Sequence, residues 1–222
     1  MSAPRVSAPR VSAPRVVVLD YGSGNLRSAE RALERAGADV TVTSSLSAAA
    51  DADGLVVPGV GAYAACMAGI DQVGAGPVIA ARVAAGKPVL GICVGMQILF
   101  EYGDEHAVVT KGLGLLPGGV TRIEAPVVPH MGWNTVAAPA GSVLFAGVTE
   151  DTRFYFVHSY AAHPSEALDA GAGWVTTSVH GGQFVAAVES GTLAATQFHP
   201  EKSGDAGAAL LRNWLQTIPA SA

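Results

Sequence analysis

The sequence predicts an α/β fold: a doubly wound, mostly parallel central sheet flanked by helices, with antiparallel strands added in the C-terminal half. Three observations predict it. Short apolar runs recur at Val16, Val40, Gly54 and Pro88, and segments of helical period separate them. At the end of the fourth run, Gly91-Ile-Cys93-Val-Gly95 has the small–x–nucleophile–x–small spacing of a strand that turns directly into a helix. Beyond Gly112 the runs shorten and glycine turns separate them, as in hairpins.

The head of the chain repeats Ser-Ala-Pro-Arg-Val from Ser2 to Val16, and its recurring prolines forbid a stable helix. Residues 1–15 are therefore expected to be a disordered extension, and residues 16–218 a single folded domain. The first strand, Val16–Asp20, leads into the turn Tyr21-Gly-Ser-Gly-Asn25. A helix follows with Leu26, Ala29, Leu33 and Ala36 on one face and Gly37 as its stop. The turn is not a dinucleotide loop, because Arg27 stands where the third glycine would be. Asn25 has the residue type of a helix cap. Val40–Thr43 reads as the second strand and Gly54–Pro58 as the third, ending in Gly59-Val60-Gly61. Helical segments around Tyr63–Ile70 and Pro77–Ala85 precede the fourth strand, Pro88–Ile92, and a helix is expected from Val94 to Phe100.

Right-handed crossovers would place the loops after the third and fourth strands on one carboxyl edge. The Pro58–Gly61 turn then faces the Cys93 corner, where its N–H groups and that of Val94 could hold an oxyanion. A plain tight turn would look the same in sequence. Cys93 itself is either a structural thiol in a glycine-rich turn or a nucleophile, exposed at the sheet edge and favoured as thiolate by the helix that follows. In the second half, Thr121–Glu124, Arg153–His158, Trp174–Val179, Phe184–Glu189 and Leu193–Gln197 read as strands, and a helix from Asp205 to Ile218 closes the chain.

Composition narrows the function. Of 222 residues, 50% are hydrophobic and 14% charged, with a formal net charge of −5. No basic block lies beyond the N-terminus, which argues against a nucleic-acid surface. The long uncharged stretch between Glu124 and Glu150 is broken by Pro126, Pro129, Gly132, Pro139, Gly141 and Gly147, so no membrane span is expected. Cys66 and Cys93 form no metal-like pair and follow no signal peptide, which points to a reducing, cytoplasmic setting without a disulfide. Cys66 reads as a small buried hydrophobe, and His106, His163 and His180 as solvated loop residues. The histidines show no metal-ligand spacing, and no cofactor is implied.

The second half of the chemistry lies in Gln197-Phe-His199-Pro-Glu201, just past a strand end. A cysteine nucleophile needs a base to take and return its proton, and a carboxylate to orient that base. With Cys93 on the same kind of edge, His199 and Glu201 supply both.

These residues resemble the class I, or triad, glutamine amidotransferases, and among them the glutaminase subunits of imidazole glycerol phosphate synthase, an enzyme of histidine biosynthesis. The resemblance rests on Gly91-Ile-Cys93-Val-Gly-Met-Gln97 and Gln197-Phe-His199-Pro-Glu201. It extends to Asp20–Asn25, Pro58–Gly61, Pro129-His-Met-Gly-Trp-Asn134 and Phe154–Tyr160, and covers Val16 to the final helix but not the repeated head. It implies that Cys93 attacks the glutamine amide, that His199 transfers protons and that Glu201 orients His199. It further implies that Gly59, Val60, Gly61 and Val94 stabilise the oxyanion after a peptide rearrangement. Gln97, Glu105, His158, Ser159 and Tyr160 would hold the amino-acid end of glutamine. Asn25, Met131, Trp133, Asn134 and Tyr155 would face a (β/α)8-barrel cyclase in a heterodimer; from residue type alone, Trp133 and Met131 would more often be core. The remaining alternatives are a class I amidotransferase with another acceptor, a cysteine hydrolase with a similar elbow, and a binding module without activity.

Overall fold

Strands buried on both faces occupy the centre of the molecule, whose computed structural model describes residues 13–219. The N-terminal half runs β1 (Arg15–Leu19), α1 (Leu26–Ala36), β2 (Asp39–Thr43), α2 (Leu46–Asp51), β3 (Gly54–Gly59), α3 (Tyr63–Val73), α4 (Ala75–Ala84), β4 (Val89–Cys93) and α5 (Val94–Gln97). Then come β5 (Phe100–Glu105), β6 (Val108–Lys111), β7 (Leu116–Arg122), β8 (His130–Thr135), β9 (Arg153–His158), β10 (Tyr160–Ala162) and α6 (Glu166–Gly171). The chain ends with β11 (Trp174–His180), β12 (Gly182–Ser190), β13 (Leu193–Thr196), a 3-10 turn over Pro200–Lys202 and α7 (Gly204–Gln216).

The main sheet has seven strands in the order β11-β12-β13-β4-β3-β1-β2. Its centre, β13-β4-β3-β1-β2, is parallel, and β12 and β11 extend it as an antiparallel hairpin. Every residue of β3, β4 and β13 is buried, as expected of parallel strands covered on both faces. Helix α1 turns Ala29, Ala32 and Leu33 inward, ends at Gly37 with φ 111°, and packs against α7. Helix α4 packs against both α2 and α3. The register aligns Gly59 with Cys93 and Ile92 with Thr196. That alignment brings the chain segments after β3, β4 and β13 to one edge.

Several expectations need correction. Arg15, assigned to the extension, is already the first residue of β1; its N–H donates to the Asp53 carboxylate at 2.8 Å and its guanidinium pairs with it at 3.1 Å. The repeated head up to residue 12 lies outside the described residues. The helix after Cys93 stops at Gln97 instead of continuing to Phe100, because Phe100 is drawn into β5 opposite Leu116 of β7. The antiparallel additions do not all join one sheet: β10-β7-β5-β6 form a second sheet and β8-β9 a third. The strand expected at Thr121–Glu124 is centred earlier, at Leu116–Arg122, by the same pairing with β5. Pro129–Asn134, which reads as a loop, is mostly strand β8, with Gly132 at φ 139° and each residue from His130 to Thr135 paired to β9.

Behind the site edge, Phe198 stacks on Phe154 at 4.4 Å and meets Phe156 at 5.4 Å, all three fully buried. This cluster fixes the chain immediately before His199 to β9.

Candidate active site

Cys93 stands at the corner between β4 and α5 with φ 56° and ψ −115°, a backbone conformation that non-glycine residues rarely adopt. The corner closes only because its neighbours lack side chains. A Cβ on Gly91 would lie 2.9 Å from the Leu99 side chain, and one on Gly95 would run into the Val57 carbonyl oxygen. The sulfur is less open than the sequence suggests: Cys93 is 4% exposed and is reached through a cavity of about 590 Å³. With four residues, α5 also contributes little of the helix dipole expected to polarise it.

His199 lines the same cavity and pairs with Glu201. His199 Nδ1 lies 2.7 Å from Glu201 Oε1, and both side chains are almost fully buried. Burial opposes a charged imidazole. Hydrogen bonds and charge interactions with Cys93 and Glu201 outweigh it, and His199 is pushed up to about 9. The ring is thus fixed by the carboxylate, and Cys93 and His199 line the same cavity. A base oriented in this way is what a cysteine nucleophile needs to pass its proton to a leaving group.

The chain matches the glutamine amidotransferase class-I family model over residues 17–218. It is 65% identical to imidazole glycerol phosphate synthase subunit HisH of Mycolicibacterium paratuberculosis, over 91% of this chain and 98% of that protein. It is 64% identical to the subunit of the same name from Nocardia farcinica, with the same coverage. The chain belongs to the HisH family of class I glutamine amidotransferases. A crystal structure of a glutamine amidotransferase shares the fold, with a TM-score of 0.71 at 20% identity, covering 91% of this chain and 98% of that one.

The same cavity gathers most of the other expected residues: Val60, Gly61, Val94, Gln97, Glu105, His158, Ser159 and Tyr160 all line it. Several have prior engagements. The Gln97 amide donates to the Tyr160 carbonyl at 2.8 Å and to Gln197 Oε1 at 3.0 Å. Glu105 Oε2 accepts the Tyr63 N–H at 2.7 Å, anchoring the start of α3 and leaving its other oxygen for a ligand. The Val60 N–H does not face an oxyanion; it donates to Ser23 Oγ at 3.1 Å. Gly59 lies behind the turn, where a Cβ would lie 2.9 Å from the Tyr21 hydroxyl.

On the expected docking side, Met131 is 65% and Trp133 52% exposed. Trp133 meets the ring of its cross-strand neighbour Tyr155 edge-on at 5.9 Å. Asn25 borders a small gap beside His199 and Glu201; its carbonyl, not its side chain, caps α1.

Other roles escaped the sequence reading. Gln197 is fully buried and points its amide at Cys93 Sγ, 3.9 Å away. Its place two residues before His199, on the same side of an extended chain, was the available signal. His180 is not a solvated loop residue: it ends β11, stacks on His130 at 4.2 Å, and its Nε2 lies 2.7 Å from the Val127 carbonyl. Cys66 is buried as expected but not merely apolar, since its thiol reaches Ser23 Oγ at 3.3 Å and the Val60 carbonyl at 3.4 Å.

The shifted histidines predict a pH optimum for stability. Burial, with His180 nearby, lowers His130 to about 4, and burial, with His130 nearby, lowers His158 to about 3. Groups lowered in this way add stability that is present above the ordinary value of 6.5 and is lost as pH falls. His199, raised to about 9, adds stability that is complete below 6.5 and is lost as pH rises through 9. The melting temperature is expected to be highest near pH 6.5 and to fall on both sides, with a shallower acid limb in His130→Gln. A melting temperature that does not fall between pH 6.5 and 9 would contradict the His199 assignment.

Proposed function

We propose that this chain hydrolyses glutamine with Cys93, His199 and Glu201, and passes the ammonia to a (β/α)8-barrel cyclase docked on the β8–β9 face. The observation that carries this reading is that His199, bonded to Glu201, lines one cavity with Cys93 at the edge where β3, β4 and β13 end. Cys93 gives its thiol proton to His199 as its sulfur attacks the side-chain carbonyl carbon of glutamine, and the C=O electron pair moves onto oxygen. His199 gives its proton to the departing nitrogen, and the C–N bond breaks to leave a thioester and ammonia. Water then attacks the thioester as His199 takes its proton; the C–S bond breaks, releasing glutamate and restoring the thiol. The N–H groups of Val94 and of the Gly59–Gly61 turn stabilise the tetrahedral oxyanion. Glu105 attracts the substrate ammonium, and the backbone at His158, Ser159 and Tyr160 accommodates its carboxylate.

In its resting form the turn lacks the Val60 donor, which is bound to Ser23. Turnover therefore waits on the partner, whose contacts include Asn25, Met131, Trp133, Asn134 and Tyr155. Downstream the ammonia yields imidazole glycerol phosphate and aminoimidazole carboxamide ribotide. The setting is a reducing cytoplasm, in keeping with two free cysteines; no single described helix is long and apolar enough to cross a membrane.

Glutamate release from glutamine, measured with and without the co-purified cyclase and its ligand, tests the reading. Turnover alone should be slow and rise about 5- to 150-fold on docking, as for a coupling of about 1–3 kcal/mol. Equal turnover in both conditions would reject the dependence on a partner. A rise only with a different acceptor enzyme would reject the cyclase.

A further inference from the structure

Strand β8 places His130 directly across from His158 of β9. Both are buried, at 4% and 6% exposure, and their rings are hydrogen-bonded, His130 Nδ1 to His158 Nε2 at 3.0 Å. The proton positions follow from the partners. His158 Nδ1 lies 3.0 Å from the Tyr160 carbonyl, which can only accept, so Nδ1 carries the hydrogen. In the neutral ring Nε2 is then an acceptor, and His130 must donate to it from Nδ1. That leaves His130 Nε2 as an acceptor for the Asn134 amide at 3.3 Å. The second hydrogen of that amide goes to the Val179 carbonyl at 2.9 Å, and Asn134 Oδ1 accepts the Thr135 N–H at 2.9 Å. Every donor points the same way: Asn134 to His130, His130 to His158, His158 to the Tyr160 carbonyl.

The Tyr160 carbonyl is where this chain of bonds meets the site. It also accepts from Gln97, which donates to Gln197, whose amide points at Cys93. Stacking holds the central ring flat: Phe156 lies 4.8 Å and His180 4.2 Å from His130, both nearly parallel to it. The remaining titratable groups facing the pair are His180 and His199, and both disfavour extra positive charge there.

We infer that Asn134, His130 and His158 form a hydrogen-bonded positioning relay that sets the His158–Tyr160 backbone of the glutamine site from the β8 face. His130 is a positioning residue in it and touches no substrate. The inference rests on the glutaminase reading above, and its test is separable from that reading. In His130→Phe the aromatic stack persists while the donor to His158 is lost. In His130→Asn an amide N–H at the position of Nδ1 can restore that donor.

Assayed with the cyclase bound, His130→Phe should raise the glutamine KM about tenfold, the worth of one buried hydrogen bond. Its kcat should stay within about twofold of the parent, and His130→Asn should return KM to near the parent value. A parent-like KM in His130→Phe, or equal impairment in both variants tracking their loss of melting temperature, would overturn the relay. Failure of the parent itself to release glutamate would instead overturn the glutaminase reading. Histidine 15N spectra of the unmutated chain give a readout independent of activity. His130 and His158 should both be neutral Nδ1–H tautomers at neutral pH, and a His158 carrying its hydrogen on Nε2 would refute the relay.

Discussion

Cys93→Ala should abolish glutamine hydrolysis, lowering turnover on the order of a thousandfold or more, while leaving the fold intact. Alanine keeps the Cβ that already occupies the strained corner at φ 56°, so the backbone meets no new clash and no relief. Only the sulfur leaves. Near Cys93, the residues that lose a partner are Gln197, whose contact at 3.9 Å is weak, and His199. The change in unfolding free energy should therefore stay within about 1 kcal/mol. Docking to the cyclase should survive, because Trp133 and Met131 lie on a separate strand.

The same variant should also lower the His199 titration, since contact with Cys93 is a main cause of its elevation. Glutamate release at the parent rate would show that Cys93 is not the nucleophile. An unmoved His199 titration would show that the two side chains do not share a proton.

How much of this was legible in the chain depends on whether the signal was local. The strands β3 and β4 were readable because a strand buried on both faces must be apolar throughout, as Gly54–Gly59 and Val89–Cys93 are. The corner was readable because both its glycines answer a steric need within the motif itself. His199 and Glu201 were readable together because the proline between them limits how they are presented.

What escaped is what only long-range pairing creates. His130 looks like any histidine after a proline until β8 lies against β9, and only then does its ring reach His158. Strand β8 was obscured by Pro129 and Gly132, residues of turn type held extended here by a cross-strand partner. The helix after Cys93 was overextended because apolar Ile98, Leu99 and Phe100 suit a helix as well as a strand. The pairing of Phe100 with Leu116 decides between them. Ser23 gave no hint at all: a serine between two glycines reads as turn filler, and its contact with Val60 spans 37 residues of sequence.

That contact leads to the second expectation. Ser23→Ala should raise the glutaminase rate of the chain without its partner. Ser23 Oγ accepts the Val60 N–H at 3.1 Å and donates to the Val60 carbonyl at 2.9 Å, so one hydroxyl ties the peptides on both sides of Val60. In the proposed mechanism the Val60 N–H must leave Ser23 to face the oxyanion, and the resting turn is stabilised by whatever those two bonds contribute. At about 1 kcal/mol net per bond, their loss shifts the balance towards the competent turn by up to about thirtyfold. Cys66 still reaches the Val60 carbonyl and holds part of the resting form, so an increase of about tenfold is the realistic size. Turnover in the complex should hardly change, because there the turn has already moved; the stimulation by the partner therefore shrinks by the same factor. Ser23→Thr, which keeps the hydroxyl, should behave as the parent. An unpartnered rate unmoved by Ser23→Ala would mean that the resting turn is held by something other than this serine, with Cys66 the next residue to replace.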